Sequence, residues 1–134
     1  MADFNFPIRV YYENTDSGGV VYHSQYLNFM ERARTEWLRN LGFEQDILKE
    51  EHQCIFVVKK IEIDFMKPAR FNDLLIVSTQ LKESAFASFL LIQNIFNQKT
   101  NEILCKADVK IAAVYPDIFK PRRIPKLILT GIKA

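Results

Sequence analysis

The sequence predicts an α+β fold in which one long helix covers an antiparallel sheet of about five strands. Apolar residues between Ser24 and Gly42 recur with the helical period of about 3.6 residues. From Cys54 onward they alternate with the period of about two that is typical of strands. Short turns join the alternating stretches, which favours antiparallel pairing of consecutive strands. For 134 residues we expect a single domain over residues 1–134.

The N-terminal part predicts an irregular arm, a short strand and a polar turn. Met1–Pro7 has no regular period, so we expect a loose arm. Ile8–Tyr12 is β-branched and aromatic, which favours a strand. Glu13–Gly19 contains Asn, Asp, Ser and two glycines, a composition that is typical of turns.

The segment Gln25–Leu41 predicts the long helix. Ser24 is suited to be its N-cap, and Gly42 is suited to follow its C-terminus. At 1.5 Å per residue the helix is about 25 Å long. Two polar residues, Arg34 and Asn40, project into the apolar side of the helix. That side consists of Tyr26, Leu27, Phe29, Met30, Ala33, Trp37, Leu38 and Leu41.

After the long helix, the sequence predicts a short helical segment, four strands and an irregular tail. The helical segment is Glu44–His52. The alternating stretches are Lys60–Phe65, Leu75–Lys82, Ser88–Asn97 and Ile103–Ile111. Ser88–Asn97 is apolar on both faces, so we expect it at the centre of the sheet or at a subunit interface. Asp117–Lys126 follows Pro116 and combines further prolines with a cluster of cations, which predicts irregular structure.

The composition argues against several classes of function. The formal net charge is +2 and the cations are spread along the chain, so we expect no binding of nucleic acid. No apolar run predicts a transmembrane segment, and Met1–Phe6 lacks the pattern of a signal peptide. Cys54 and Cys105 lie far apart without a neighbouring histidine, which predicts reduced thiols in a cytoplasmic protein and no metal site. No cofactor motif is present, so we expect no cofactor.

Asp16 is the strongest candidate for a reactive group. It is followed by Gly18 and Gly19 and lies just before the predicted helix. A carboxylate can attack an electrophilic carbon or act as a general base on water. The free N–H groups of a first helical turn can stabilise a developing oxyanion. An aspartate before two glycines is, however, usually a turn residue, so the pattern alone does not separate the two roles.

Several longer motifs together indicate a family. They are Y-Y-E-N-T-D-S-G-G-V-V-Y-H in the turn, Y-L-N-F-M-E-R-A-R-T-E-W-L in the helix, F-V-V-K-K at Phe56–Lys60 and A-R-F-N-D-L-L at Ala69–Leu75. With these motifs the chain resembles the hotdog-fold acyl-CoA thioesterases over nearly its whole length. It is most similar to the branch encoded with the Tol–Pal envelope system, which is related to the 4-hydroxybenzoyl-CoA thioesterases. The resemblance implies a hotdog fold, in which the sheet wraps around the helix.

The resemblance also implies roles for single residues. The family's catalytic aspartate matches Asp16, and its oxyanion donor matches the backbone N–H of His23. Many relatives have D-T-D where this chain has Asn14, Thr15 and Asp16, so we expect a mechanism that needs one carboxylate. The other substrate-binding positions are Gly18, Gly19 and Tyr22, and Val57, Val58 and Lys59 along the pantetheine arm of coenzyme A.

The implied activity is hydrolysis of short-chain acyl-CoA to a free acid and coenzyme A, with Asp16 as nucleophile or general base. The resemblance implies a homodimer or a homotetramer. Coenzyme A carries phosphates, which need cations. The candidate cations are Lys59, Lys60 and Arg70, or Lys120, Arg122, Arg123 and Lys126 in the tail.

Other functions stay open at this point. A dehydratase acting on acyl thioesters would need a catalytic histidine, for which His23 is the candidate. A scaffold with incidental hydrolysis would bind acyl carrier protein or an envelope-assembly partner, and the basic tail suits an acidic carrier. Glu31 and Glu36 are weaker catalytic candidates because they lie on the polar side of the helix.

Overall fold

The computed structural model describes residues 3–134. In this part of the chain five strands form one antiparallel sheet in the order β1-β3-β4-β5-β2. The strands are β1 (Phe4–Arg9), β2 (Ile55–Phe65), β3 (Leu74–Ser84), β4 (Ser88–Asn97) and β5 (Ile103–Val114). The helices are α1 (His23–Asn40), α2 (Gln45–His52) and α3 (Lys126–Lys133), with a 3-10 turn at Tyr12–Asn14. The predicted α+β architecture is confirmed.

α1 packs against the sheet because one side of the helix is apolar. Phe29, Met30 and Ala33 are fully buried in the core, and burial of a large apolar side chain contributes roughly 1.5–3 kcal/mol. The helix contacts β1 and β3, and the Trp37 ring lies 5.9 Å from the Phe89 ring in β4. The predicted long helix with a buried face is confirmed.

The C-terminus of α1 is fixed by a Schellman motif. The N–H of Gly42 donates to the carbonyl of Arg39 (2.9 Å), and the N–H of Phe43 donates to the carbonyl of Leu38 (2.9 Å). Gly42 has a φ of +96°, a conformation that costs a glycine little. Gly42 therefore ends the helix as predicted.

The order of the strands differs from the order expected from the chain. β4 lies at the centre of the sheet, as predicted, but β2 pairs with β5 and not with β3. Residues 66–73, which connect β2 to β3, pass the start of α1, where the Tyr26 hydroxyl accepts a hydrogen bond from the N–H of Ala69 (3.0 Å). The connection therefore crosses the helix, and β2 becomes an edge strand of the described sheet.

β2 contains a bulge that reverses its alternation. The register with β5 shifts between Val58 and Lys60, so Lys59 is the extra residue. Before the bulge, Phe56 and Val58 face a cavity beside α1. After it, Ile61 packs against the core. Because a bulge interrupts the period of two, the sequence predicts this strand only from Lys60 onward.

Both ends of the chain contain more regular structure than expected. Phe4–Pro7 belongs to β1, so the prediction of a loose arm is wrong for these residues; residues 1 and 2 lie outside the described part. β1 is an edge strand, where a proline is tolerated. The predicted strand Ile8–Tyr12 already ends at Arg9. In the tail, α3 follows the irregular stretch and buries Ile128 fully.

The two cysteines are buried free thiols in the described structure. Burial raises the pKa of Cys105 to about 12, and the nearby charge of Asp64 adds to this shift. Burial likewise raises the pKa of Cys54, while Arg122 opposes the change. Both thiols therefore stay protonated and unreactive near neutral pH. Within residues 3–134, no helix combines the length and apolar character that a membrane span requires.

Candidate active site

Asp16 lies in a turn that backbone hydrogen bonds close. The N–H of Asp16 donates to the carbonyl of Val20 (2.9 Å), and the N–H of Gly19 donates to the carbonyl of Asp16 (3.1 Å). Thr15 and Val21 pair across the base of the turn. The backbone is therefore held on both sides of Asp16, while the side chain is exposed to solvent.

The two glycines after Asp16 shape this turn in different ways. The N–H of Gly18 donates to Oδ1 of Asp16 (2.8 Å), which forms an Asx turn and orients the carboxylate. A Cβ atom at residue 18 would lie 3.2 Å from that oxygen, so a side chain there would crowd it. Gly19 has a φ of +80°. Within residues 3–134, Oδ2 of Asp16 has no hydrogen-bond partner, which leaves this oxygen available to a substrate or a water molecule.

α1 begins at His23, directly after the turn. Its N-cap is Tyr22, which makes no capping bond through its side chain, so the prediction of Ser24 as N-cap is wrong. The N–H of Tyr22 donates to the carbonyl of Asn14 (3.0 Å) and ties the start of the helix to the turn. In the described part of the chain, the N–H groups of His23 and Ser24 have no protein acceptor. They add to the positive end of the helix dipole.

Asn14 joins the turn to α1 through its buried side chain. It is 5% exposed. Its Oδ1 accepts from the N–H of Tyr11 (2.8 Å), and its Nδ2 donates to Oε1 of Gln25 (2.9 Å). From sequence alone Asn14 is only a missing carboxylate, because its partner Gln25 belongs to the next element. The structure shows that it holds the loop in place.

A groove of about 280 Å³ lies beside the start of α1. The centroid of the His23 ring lies 4.2 Å from that of Tyr22 and 6.4 Å from that of Phe65. The Tyr26 ring lies 5.5 Å from Phe65 on the same side. Rings on several sides suit an apolar or extended neutral group. The groove contains the side chain of His23, which therefore lies among aromatic neighbours.

Tyr26 is a groove residue that the sequence places only in the core. Its hydroxyl accepts from Ala69, and its ring lines the groove. Burial raises the pKa of Tyr26, and the hydrogen bond from Ala69 offsets part of this shift. The hydroxyl therefore stays protonated and can donate a hydrogen bond. In the sequence, the feature that could have indicated this role is the spacing of Tyr26 from His23, because residues three apart lie on the same side of a helix.

The residues expected to bind the pantetheine arm are separated in space from the groove at His23. Val57, Val58 and Lys59 belong to the edge strand β2. Val58 lines a cavity of about 210 Å³ between α1 and the sheet, and this cavity shares no lining residue with the groove at His23. Within one chain the structure therefore brings Asp16, Gly18, Gly19, Tyr22 and His23 into one region and leaves the β2 residues apart.

Several of the cations considered for coenzyme A already have partners. Lys60 forms an ion pair with Glu62 (2.9 Å). The Arg122 guanidinium donates to the carbonyls of His52 and Gln53 and lies over the Tyr115 ring, so it fixes the tail against the end of α2. Among the candidate cations, those whose side chains form no ion pair or hydrogen bond within residues 3–134 are Lys59, Arg70, Lys120, Arg123 and Lys126.

The chemistry available in this region is that of the Asp16 carboxylate and the two free backbone N–H groups at the start of α1. Among the described residues no group of three His, Cys, Asp or Glu side chains is placed to hold a metal ion. A carboxylate next to N–H donors can attack a carbonyl-type carbon, or activate water for that attack, while the donors hold the oxygen.

Sequence comparison relates the chain to known enzymes. A profile of the thioesterase superfamily matches residues 18–104. The acyl-CoA thioesterase YbgC of Haemophilus influenzae is 50% identical over 123 residues, which are 92% of this chain and 89% of the relative. The acyl-CoA thioester hydrolase YbgC of Escherichia coli is 43% identical over 130 residues, which are 97% and 96% of the two chains.

Structural comparison gives the same relationship. The crystal structure of a probable thioesterase from Bartonella henselae is 38% identical and superposes with a TM-score of 0.87. The match covers 92% of this chain and 100% of the other. The hotdog fold expected from the sequence is therefore confirmed.

Proposed function

The chain belongs to the thioesterase superfamily and is a thioester hydrolase, and we propose that it hydrolyses acyl-CoA thioesters to a free acid and coenzyme A. Two relatives named for activity on acyl-CoA match it over most of their length, which supports this substrate class. One observation carries the assignment of the site. The free oxygen of Asp16 lies in a turn that is hydrogen-bonded to the start of α1, where two N–H groups are unpaired.

Asp16 supplies the reactive oxygen in either of two mechanisms. As a nucleophile, Oδ2 attacks the thioester carbon, the C–S bond breaks, and the thiolate of coenzyme A takes a proton from water. Water then hydrolyses the mixed anhydride. As a general base, the carboxylate takes a proton from the attacking water and returns it to the leaving sulfur. Both routes need one carboxylate, which fits the presence of Asn14 at the other position.

The oxyanion is stabilised by the backbone at the start of α1. Negative charge develops on the thioester oxygen as the carbon becomes tetrahedral, and a fixed N–H donor stabilises that charge. We assign the N–H of His23 to this role. The His23 ring lines the groove against Tyr22 and Phe65, so its removal should weaken binding more than turnover. A dehydratase would instead require the imidazole, so hydrolysis that persists in His23→Ala would argue against that alternative.

The separation of the expected site residues supports a dimer. β2 is an edge strand, and its free edge can pair with a second copy. A symmetric antiparallel pairing centred near Ile61 places Val57–Lys59 of the partner subunit opposite Ile63–Phe65. Phe65 lies beside His23, so the partner's strand would complete the groove. A homotetramer is then an association of two such dimers.

The acyl group and the carrier belong to the same proposal. The groove and the cavity are small, at about 280 and 210 Å³, which favours a short acyl chain. An acidic acyl carrier protein is an alternative carrier, since Arg123 lies over the exposed Phe86 ring at 5.4 Å and leaves its donors free. A scaffold for envelope assembly, with hydrolysis incidental to that role, is the competing function. Two buried thiols support a cytoplasmic location.

A thiol-release assay tests the proposed function. Purified protein is incubated with acyl-CoA thioesters of increasing chain length and with one acyl group attached to an acyl carrier protein. We expect release of coenzyme A from short acyl-CoA. If the thiol is released more slowly from acyl-CoA than from the acylated carrier protein, the carrier protein would be the preferred carrier of the acyl group. No release from any thioester would contradict the enzymatic function and favour the scaffold.

A further inference from the structure

The cavity beside α1 is lined by apolar and aromatic side chains together with Glu31, Arg34, Thr35 and Gln45. It lies between the helices and the sheet and has a volume of about 210 Å³. Its apolar walls include Trp37, Phe56, Phe89, Leu91 and Ile111. Since an apolar cavity of about 150 Å³ can hold benzene, a group of roughly six to eight non-hydrogen atoms fits here.

One cation, Arg34, lines this cavity and is held in a fixed position. Its Nη1 donates to Oε1 of Gln93 (3.0 Å). Gln93 is fully buried, and its Nε2 donates to the carbonyl of Met30 (3.1 Å) and to the hydroxyl of Thr79 (2.9 Å). Because both amide hydrogens are used, the amide oxygen must face Arg34. A buried chain of hydrogen bonds thus anchors one corner of the guanidinium.

The rest of the Arg34 guanidinium lacks acceptors within residues 3–134. It carries about five N–H groups, of which one is bonded to Gln93. It forms no ion pair within residues 3–134, although the exposed Glu31, one turn earlier, lines the same cavity. Burial lowers the pKa of Arg34, and the charge of Glu31 opposes this shift, yet an arginine remains charged near neutral pH. The N–H groups of Arg34 that have no protein partner are reached by solvent, because no unpaired side-chain nitrogen within residues 3–134 is fully buried. An oxygen acceptor from a ligand would replace water there and form charge-assisted hydrogen bonds.

We propose that this cavity binds the far end of the acyl group, and that Arg34 selects acyl groups that end in an oxygen acceptor, either a hydroxyl or a carboxylate. This inference rests on the proposed function and on the dimer paired through β2. Val58 lines the cavity and lies on β2, so that pairing places the cavity of one subunit beside the His23 groove of the other. The acyl chain then packs against Trp37 and Phe89, and its terminal oxygen accepts from Arg34.

A comparison of three thioesters of equal chain length tests the selection. They are hexanoyl-CoA, ω-hydroxyhexanoyl-CoA and adipoyl-CoA, which end in a methyl, a hydroxyl and a carboxylate. Loss of a charge-assisted hydrogen bond changes kcat/KM by about tenfold or more, so we expect the wild-type enzyme to prefer at least one oxygenated substrate by that factor. The preferred end group shows which acceptor the site takes. Equal rates on all three would overturn the inference.

Arg34→Met should remove the preference, measured as the ratio of kcat/KM between the oxygenated thioesters and hexanoyl-CoA. The matched control is Arg32→Met, because Arg32 is exposed on the same helix and its loss changes the net charge equally. A preference that survives in Arg34→Met, or that both variants lose alike, contradicts a role for Arg34. If Arg34→Met fails to fold, Arg34→Lys keeps the charge without the planar fork. We expect it to lower the preference, and an unchanged ratio of kcat/KM would also contradict the inference.

Binding can be measured separately from hydrolysis through Trp37, which is the single tryptophan of the chain and lines the cavity. Its fluorescence is titrated with the same thioesters in the Asp16→Asn background, with and without Arg34→Met. We expect Arg34→Met to weaken only the oxygenated ligands. Hydrolysis without this effect overturns the inference and leaves the proposed function intact. If the wild-type protein binds the oxygenated thioesters more tightly but hydrolyses none, the proposed function is overturned while the selection by Arg34 stands.

Discussion

At the scale of single residues, Asp16 is positioned by its neighbours while it stays open to solvent. Gly18 holds one carboxylate oxygen, and Asn14 holds the turn to the start of α1. The sequence predicts Asp16 and the glycines because turn chemistry is local. It does not predict that Asn14 anchors the loop, because its partner Gln25 lies in another element. Nor does it predict which N–H groups of Arg34 lack a protein acceptor, because its partner Gln93 lies on a different element.

The anchoring role of Asn14 leads to a prediction about stability. Asn14→Leu should lower the free energy of unfolding by about 1–3 kcal/mol, because the N–H of Tyr11 and the side chain of Gln25 lose a buried partner. Asn14→Asp is the control. Its carboxylate still accepts from Tyr11, and the Gln25 amide can rotate to donate to it. Urea denaturation measures both variants. Equal stability of Asn14→Leu and wild type would show that Asn14 does not anchor the loop.

At the scale of elements, regular periods are predicted well and interruptions are not. α1 follows from its apolar period, and β4 has the bounds that its apolar stretch predicts. The first half of β2 is missed because the bulge at Lys59 reverses the alternation. The pairing of β2 with β5 is missed because it depends on a connection that crosses α1, and sequence separation carries no information about that path.

α3 is the element that the sequence misses entirely. The prolines and cations of Asp117–Lys126, just before the helix, suggest irregular structure, yet Ile128 and Ile132 are fully buried four residues apart in α3, and Ile124 is fully buried before it. The tail is fixed before the helix starts, because Arg122 bonds to the end of α2 and the N–H of Ile124 donates to the carbonyl of Phe86 (3.0 Å). Tertiary contacts therefore decide the structure of this segment.

The packing of α3 gives a prediction at Gly131. A Cβ atom at this position would lie 2.6 Å from two carbons of the Phe43 ring. Gly131→Ala should therefore lower the free energy of unfolding by about 1–3 kcal/mol, although alanine favours a helix. In a Phe43→Leu background the same change should cost less, because the ring is gone. Calorimetry of the four proteins measures this coupling, and an additive result would argue against the clash.

At the scale of the whole molecule, the proposed site is incomplete in one chain. Asp16 and His23 lie near one end of β2, and the cavity at Val58 lies near the other. If two chains share each site, assembly is a condition of activity. This is a property that no periodicity in the sequence reveals, because the two halves meet only across a subunit boundary.

A shared site predicts complementation between two inactive variants. Asp16→Asn lacks the reactive oxygen, and Val58→Trp fills the cavity of its own chain. Each should be nearly inactive alone. When the two chains are co-expressed, random pairing makes half of the dimers mixed and leaves one complete site in each, so about a quarter of wild-type activity should return. Light scattering verifies the dimer. A mixture no more active than its parts would contradict a site shared between subunits.

The central claim, that Asp16 carries out the hydrolysis, is tested most directly by the rate at which Asp16→Asn releases coenzyme A from a thioester that the wild-type protein hydrolyses. Asparagine keeps the shape of the side chain but cannot act as nucleophile or base, so kcat should fall by about a thousandfold or more. Glu13→Gln removes an exposed carboxylate from the same turn and should keep normal turnover. Melting temperature and Trp37 fluorescence should show that Asp16→Asn still folds and binds substrate. A wild-type rate in Asp16→Asn would contradict the claim.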